Sequence, residues 1–198
     1  MTDRRTSILE AATRVIARRG VRGLRVEELA AEAGVSTSLI YYHFSDRSGI
    51  LRRTLEFVTE RAERYTEWRG EDESLDARTG LEQTLLLELQ NDPAVRENSA
   101  AWGELRASAV FEPDLREDLA HSTEKWVQDI AELLDEVRQG TGSAQPEAPA
   151  PDCVDAAERL TALVEGVSQR WLSGSMKLER AQELMRRAIE VELEALAR

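Results

Sequence analysis

The side chains best suited to binding chemistry lie together in one short stretch of this 198-residue chain, between residues 36 and 47. Hydroxyl, phenol and imidazole groups can hydrogen-bond to the edges of DNA bases, and an arginine can hold a phosphate. An apolar side chain among them can touch the methyl group of thymine. We therefore predict a DNA-contacting surface that includes Ser36, Thr37, Ser38, Leu39, Tyr41, Tyr42, His43 and Arg47.

The rest of the sequence offers little for catalysis. Its two histidines, His43 and His121, are far apart, and its one cysteine, Cys153, cannot build a thiolate metal site alone. Cys153 lies near a predicted helix start, where a thiolate is favoured, but it has no partner cysteine for a redox reaction. No GxSxG nucleophile motif is present. We expect no enzyme activity, no metal and no cofactor.

Two short helices separated by a glycine position the DNA-contacting side chains. In the first helix, apolar residues recur at helical spacing, at Val26, Leu29, Ala30 and Ala33. Gly34 follows and can take the left-handed conformation that ends a helix. Val35 can then fill the crook between the helices, and Ser36 can cap the second one. This is the layout of a DNA-reading helix-turn-helix.

The same stretch resembles the N-terminal domain of the TetR family, the tetracycline-repressor-like regulators. The matching segments are Gly20, VEELA at 26–30, AGVS at 33–36, IYYHF at 40–44, Arg47 and Leu51. The resemblance implies that Arg47 occupies the position of a phosphate-holding lysine. It also implies that sequence reading falls to Thr37, Ser38, Tyr41, Tyr42 and His43. The alternative is a small structural three-helix unit whose aromatic side chains form a core.

The sequence departs from the family pattern on both sides of this motif. The family usually has a helix-capping threonine before the first helix, whereas this chain has Leu24 and Arg25. Arg25 could contact a phosphate or pair with Glu28, and the sequence favours neither. On the other side, Gly49 should loosen the first turn of the helix that begins near Arg47.

Charge is distributed unevenly along the chain. Residues 1–53 contain ten arginines and six acidic residues, a balance of +4, and residues 54–198 contain 16 basic and 32 acidic side chains, a balance of −16. Because DNA affinity comes from local positive charge, the total of −12 does not argue against DNA binding. The acidic remainder should help to orient the basic part toward DNA.

Helical spacing continues through the rest of the chain, and we predict an all-α fold of about nine helices. Residues 1–48 form the predicted helix-turn-helix domain, and 49–198 a ligand-binding and dimerisation domain. The segment 140–151, GTGSAQPEAPAP, is predicted to be a disordered linker, with a binding role as the less favoured alternative. The helices are predicted at 4–19, 26–33, 37–43, 46–69, 75–90, 93–110, 114–139, 152–173 and 177–197.

The chain carries no signal for membranes or secretion. No apolar run approaches the length of a membrane span, and no leader peptide precedes the first helix. A single cysteine suits a reducing compartment. We expect a cytoplasmic protein without membrane contact.

A candidate effector site lies in the segment AAWGELRASAVFEPDLREDLA at 100–120, where aromatic and charged side chains stand among small ones. Small residues leave room, and such a mixture is typical of ligand pockets. The segment also resembles the ligand-domain sixth helix of TetR-like proteins. The alternative is that Trp102 and Phe111 are core and that Arg106 pairs with a surface acid. The predicted pocket comprises Trp102, Glu104, Arg106 and Phe111, joined by Tyr65, Trp68 and Trp126.

The last two helices read as an antiparallel pair with much apolar surface, which could form a four-helix bundle across a twofold axis. The family resemblance implies the same homodimer. In the alternative, all of this surface packs inside one chain. The predicted interface consists of Leu160, Val164, Val167, Trp171, Leu184, Met185, Ala188 and Ile189.

Together these features predict a homodimeric transcriptional repressor that binds a palindromic double-stranded operator and is released by an unknown small-molecule effector. Ligand binding would shift the population toward a spacing of the reading heads that no longer fits successive major grooves. Two alternatives remain. One is the same fold acting on a protein partner without an effector, and the other is an α-helical enzyme or carrier with a similar hairpin.

Overall fold

The computed structural model describes residues 3–67, 76–140 and 148–197, and in these ranges it contains nine α-helices and no strand. The all-α expectation is therefore confirmed, and every helix end lies within three residues of its predicted position. The helices are α1 Arg4–Arg19, α2 Val26–Ala33, α3 Thr37–Phe44, α4 Arg47–Glu67, α5 Ala77–Leu87, α6 Pro93–Ser108, α7 Arg116–Gln139, α8 Pro151–Leu172 and α9 Leu178–Leu196.

Local chemistry explains where several helices begin. Helix α6 begins at Pro93, as predicted, because the Asp92 carboxylate accepts hydrogen bonds from the backbone N–H groups of Ala94 (2.8 Å) and Val95 (3.2 Å). Helix α7 begins two residues late because Pro113–Leu115 forms a 3₁₀ turn instead. Most of the predicted linker at 140–151 lies outside the described residues, and its last member, Pro151, is the first residue of α8.

The chain divides into two compact units. The first comprises Met1–Glu63 and Glu97–Ser122, and the second comprises Arg64–Arg96 and Thr123–Arg198. The proposed domain boundary at 48/49 follows the helix-turn-helix motif instead, and it remains a prediction.

The core of the first unit joins the predicted reading helices to residues far along the chain. Ile16, Leu29 and Ile40 from α1, α2 and α3 are fully buried in the same cluster as Leu105 from α6. Burying one such side chain contributes about 1.5–3 kcal/mol. Helix α6 is therefore part of the support of α3.

The core of the second unit contains most of the predicted dimer interface. Six of the eight predicted residues are buried within the single chain, with at most 7% of their surface exposed, which leaves them little surface to offer to a partner. Their apolar stripes face each other across the α8–α9 pair, as the internal-packing alternative stated. Leu184 and Ala188 remain partly exposed. The buried six are Leu160, Val164, Val167, Trp171, Met185 and Ile189.

A buried carboxylate lies in the second unit beside the one cysteine. Asp135 accepts hydrogen bonds from Arg138 (2.7 and 3.1 Å) and Gln139 (2.5 Å), and the Cys153 thiol lies 3.6 Å from it. Burial, followed by the charge of Asp135, raises the pKa of the Cys153 thiol above its usual value. The raised pKa favours the protonated thiol, although Cys153 lies in the first turn of α8.

No helix in the described part of the chain is both long enough and apolar enough to cross a membrane.

Candidate DNA-binding surface

The turn between α2 and α3 forms as its sequence predicts. Gly34 adopts the left-handed conformation (φ 66°, ψ 37°), and the Val35 N–H donates to the Ala30 carbonyl at 3.0 Å. Ser36 Oγ accepts the Leu39 N–H at 3.3 Å and caps α3. The cap thereby fixes the start of α3.

Helix α3 has one buried and one exposed face. Ile40 and Phe44 lie in the core of the first unit, whereas Tyr42 is 82% exposed and Tyr41 49% exposed. The ring of His43 meets the edge of Tyr42 with centroids 5.3 Å apart, which restricts both rings. The alternative of an aromatic core therefore holds only for Phe44, and the two tyrosines project into solvent.

The remaining predicted contacts of α3 lie on or beside the same exposed face. Ser36 and Ser38 are exposed, and Thr37 and Leu39 are half-buried. Hydroxyl and phenol groups on one accessible helix face can reach base edges in a major groove. Their contact with DNA remains a prediction.

Ion pairs between α1 and α2 set the position of the first motif helix. Glu32 accepts hydrogen bonds from Arg14 (2.8 Å) and Arg18 (2.5 Å), and these bonds hold the pKa of its carboxyl below the usual value. Glu28 pairs with Arg19. The alternative that Arg25 pairs with Glu28 is therefore not realised. Arg25 is exposed and its side chain does not cap α2, which leaves phosphate contact as its predicted role.

Arg47 is held by two internal acceptors. Its Nη2 donates to the Val21 carbonyl at 3.0 Å and its Nη1 to Glu112 Oε1 at 2.9 Å. The side chain is 39% exposed. Sequence reasoning missed Glu112, because this partner lies 65 residues from Arg47 in the chain and leaves no local signal.

At Gly49 the structure shows a close approach between α3 and α4, which the expectation of a loose start of α4 did not include. A Cβ atom at this position would lie 2.1 Å from the Phe44 carbonyl oxygen, so glycine permits a close backbone approach between α3 and α4. The Gly49 N–H also donates to Asp46 Oδ1 at 2.7 Å. This junction is therefore tightly packed, and it fixes Arg47 relative to α3.

The predicted effector residues lie in different environments. Trp102 is half-buried, and the Arg106 guanidinium stacks on its ring at 4.4 Å, instead of serving only a surface acid. Glu104 is exposed and accepts the Val21 N–H at 3.3 Å, which gives it a structural role in the turn after α1. Phe111 is 75% exposed and so does not form an enclosed wall within its unit.

Of the other three predicted effector residues, Trp126 is half-buried and packs against the core of the second unit. The Tyr65 side chain and Trp68 lie outside the described residues. The composition of the pocket therefore remains a prediction.

Among the described residues, no group of three or more histidine, cysteine or acidic side chains is placed to hold a metal ion.

The chain is similar to known proteins along both parts of its length. Residues 8–54 match the bacterial regulatory proteins of the tetR family, and residues 77–194 match the C-terminal domain of BetI-type transcriptional repressors. The chain is 26% identical over 176 residues to the HTH-type transcriptional regulator TtgR of Pseudomonas putida, covering 86% of this chain and 80% of that protein. It is 25% identical over 180 residues to the HTH-type transcriptional regulator BetI of Paraburkholderia phytofirmans, covering 89% and 84%.

Two crystal structures share the fold over nearly the whole chain. A TetR-family transcriptional regulator from Rhodococcus sp. is 44% identical with a TM-score of 0.84, covering 98% of this chain and all of that one. A transcriptional regulator from Saccharomonospora viridis in complex with choline is 28% identical with a TM-score of 0.79, covering 94% and 95%.

Proposed function

Because the chain belongs to the TetR family of bacterial transcriptional regulators, we propose that it is a homodimeric repressor released from its DNA operator by a small cationic effector. One observation carries the DNA-binding part of this proposal. Helix α3 presents Tyr41 and Tyr42 to solvent beside its capped start. The N-terminal region that carries this helix, residues 1–53, is called the reading head below, and it has a net charge of +4. An exposed aromatic and hydroxyl face on a basic support suits a major groove.

Truncating Tyr42 tests this surface. We expect Tyr42→Ala to weaken operator binding by about 1–3 kcal/mol, because it removes a proposed contact with DNA. The helicity should not change, because the exposed ring makes no core contact. The probe is a duplex selected by the wild-type protein from a random-sequence pool, and affinity is measured by fluorescence anisotropy.

Phe111→Ala is the matched control for Tyr42→Ala, since it removes another exposed aromatic ring at a position outside α3. It should leave operator affinity unchanged. Equal affinity of the Tyr42→Ala variant and the wild type would remove Tyr42 from the reading surface.

In the proposed homodimer, the distance between the two α3 helices is set by the dimer interface. An exposed apolar face of α9 supports this part of the proposal. Leu184, Ala188 and Val191 recur at intervals of four and three residues, so they share one face of the helix. This face differs from the buried stripe that contains Met185 and Ile189. Val191 is 63% exposed in the single chain. We propose that a second copy covers this face and places two α3 helices about 34–36 Å apart, the distance of one turn of DNA.

A cationic effector is supported by charge and by aromatic chemistry. Residues 54–198 carry a net charge of −16, which attracts cations. Two tryptophan rings make cation–π contacts with arginines of the same chain. The Arg106 guanidinium lies over the Trp102 ring, and the Arg96 guanidinium lies 4.8 Å from the centroid of the Trp171 ring. The similar protein from Saccharomonospora viridis is in complex with choline. We therefore propose a quaternary ammonium compound of the choline class.

Choline and its neutral isostere 3,3-dimethylbutan-1-ol test the charge requirement. Choline should lower the affinity for the selected operator by about 5- to 150-fold, the usual range of allosteric coupling, and the isostere should not. The measurement is anisotropy of labelled operator at increasing ligand concentration and constant ionic strength. Release by both compounds would contradict a cation-specific effector. Release by neither would favour the alternative in which the DNA-bound protein acts on a protein partner.

A further inference from the structure

The ion pair between Arg47 and Glu112 bears directly on DNA binding. Glu112 lies after the end of α6, 65 residues from Arg47 in the chain, and its Oε1 atom is 2.9 Å from Arg47 Nη1. We propose that Glu112 is an internal competitor of DNA, whose carboxylate takes the place that a DNA phosphate takes on Arg47. This inference rests on the proposed DNA binding and deepens it by naming a residue that sets affinity.

The chemistry of the two acceptors supports the competition. A carboxylate and a phosphate both accept charge-assisted hydrogen bonds from a guanidinium group in the same planar geometry. Two anions close to one guanidinium repel each other. A phosphate that approaches Nη1 of Arg47 therefore competes with the Glu112 carboxylate for this nitrogen.

The second contact of Arg47 explains how the exchange leaves the side chain in place. Its Nη2 donates to the backbone carbonyl of Val21 at 3.0 Å. A guanidinium carries five N–H donors, so this neutral contact can persist while Nη1 changes partner. Arg47 and Glu112 keep 39% and 36% of their side-chain surface exposed, so solvent and phosphate can reach the pair.

The segment 112–118 contacts α4 at two positions. Besides Glu112, which binds Arg47, the Asp118 carboxylate lies 3.5 Å from the guanidinium group of Arg52 in α4. The segment therefore places acidic groups against the basic start of α4. It follows that the residues after α6 reduce the positive charge that the head offers to DNA.

The test compares two isosteric substitutions that each remove one negative charge. Glu112→Gln removes the proposed competitor. Asp114→Asn is the matched control, because Asp114 is exposed, lies two residues away and has the same long-range effect on charge. Affinity for a mixed-sequence 30-base-pair duplex is measured by fluorescence anisotropy at several salt concentrations, since phosphate contacts act on every sequence.

We expect Glu112→Gln to tighten binding about two- to fivefold per head, the range for an exposed ion pair, and Asp114→Asn to tighten it by less than twofold. In an Arg47→Gln background the two substitutions should have equal effects. Two results would overturn the competition: a gain from Glu112→Gln that only matches that from Asp114→Asn in the wild type, or an excess of the first gain over the second that is unchanged without Arg47. If the wild type showed no salt-dependent affinity for the duplex, the proposed DNA binding itself would fail.

Discussion

Replacing Val191 by glutamate should convert the dimer to monomers and weaken operator binding by at least about a hundredfold. The substitution places a charge in the centre of the proposed α9 interface, where it would be buried without a partner. A monomer binds a palindrome through one head, and it loses the effective concentration that the tethered second head supplies, which is worth about 10²–10⁴ in affinity. Sedimentation velocity at micromolar protein gives the oligomeric state, and anisotropy with the selected operator gives the affinity.

Val110→Glu is the matched control for this prediction. Val110 is 65% exposed, almost the same as Val191 at 63%, but it lies beyond the end of α6 in the other unit. The same substitution there should leave a dimer. A wild-type monomer with tight affinity for a palindrome would contradict the dimer. If Val110→Glu dissociated the dimer and Val191→Glu did not, the interface would lie near Val110 and not on the proposed face of α9.

The second large effect is expected at the junction of α3 and α4. Gly49→Ala should lower the free energy of unfolding by about 3 kcal/mol, since the new methyl group would lie 2.1 Å from the Phe44 carbonyl oxygen and force the backbone apart. The sign is informative because glycine to alanine within a helix normally stabilises by about 0.5–1 kcal/mol. Urea denaturation followed by circular dichroism measures the change.

Ser48→Ala separates this clash from general effects on the first turn of α4. It changes the neighbouring, half-buried residue without adding a Cβ atom, so stability should change by less than about 0.5 kcal/mol. A Gly49→Ala variant as stable as the wild type would show that the α3–α4 junction relaxes freely.

The helices and the exposed face of α3 could be predicted from the sequence because their signals are local. Gly34 and Ser36 mark the turn through backbone conformation and capping, and both features depend only on residues within five positions. The exposure of Tyr42 follows in the same way from its place between the core residues Ile40 and Phe44. Periodicity and capping chemistry thus carry this part of the fold.

Other features escaped prediction because they depend on partners distant in the chain. The apolar stripe with Val164 and Met185 has the spacing of a buried face, but spacing does not distinguish a neighbouring helix of the same chain from a second copy. The family resemblance predicts a phosphate-holding role for Arg47, and nothing near it in sequence reveals its contact with Glu112. Gly49 was interpreted from helix propensity, whereas the approach of Phe44 requires a glycine.

The turn at Val21 also bears on how the chain folds during synthesis. Its N–H is held by Glu104 and its carbonyl by Arg47, so two groups of one residue depend on partners 83 and 26 positions later. At about 5–20 residues per second, the ribosome adds Glu104 some 4–17 seconds after Val21. Helices α1–α3 leave the ribosome first, yet the turn after α1 gains its last contact only when α6 has been made. The first unit therefore completes its structure late, because its N-terminal helices wait for α6 and for the residues that follow it, up to Ser122.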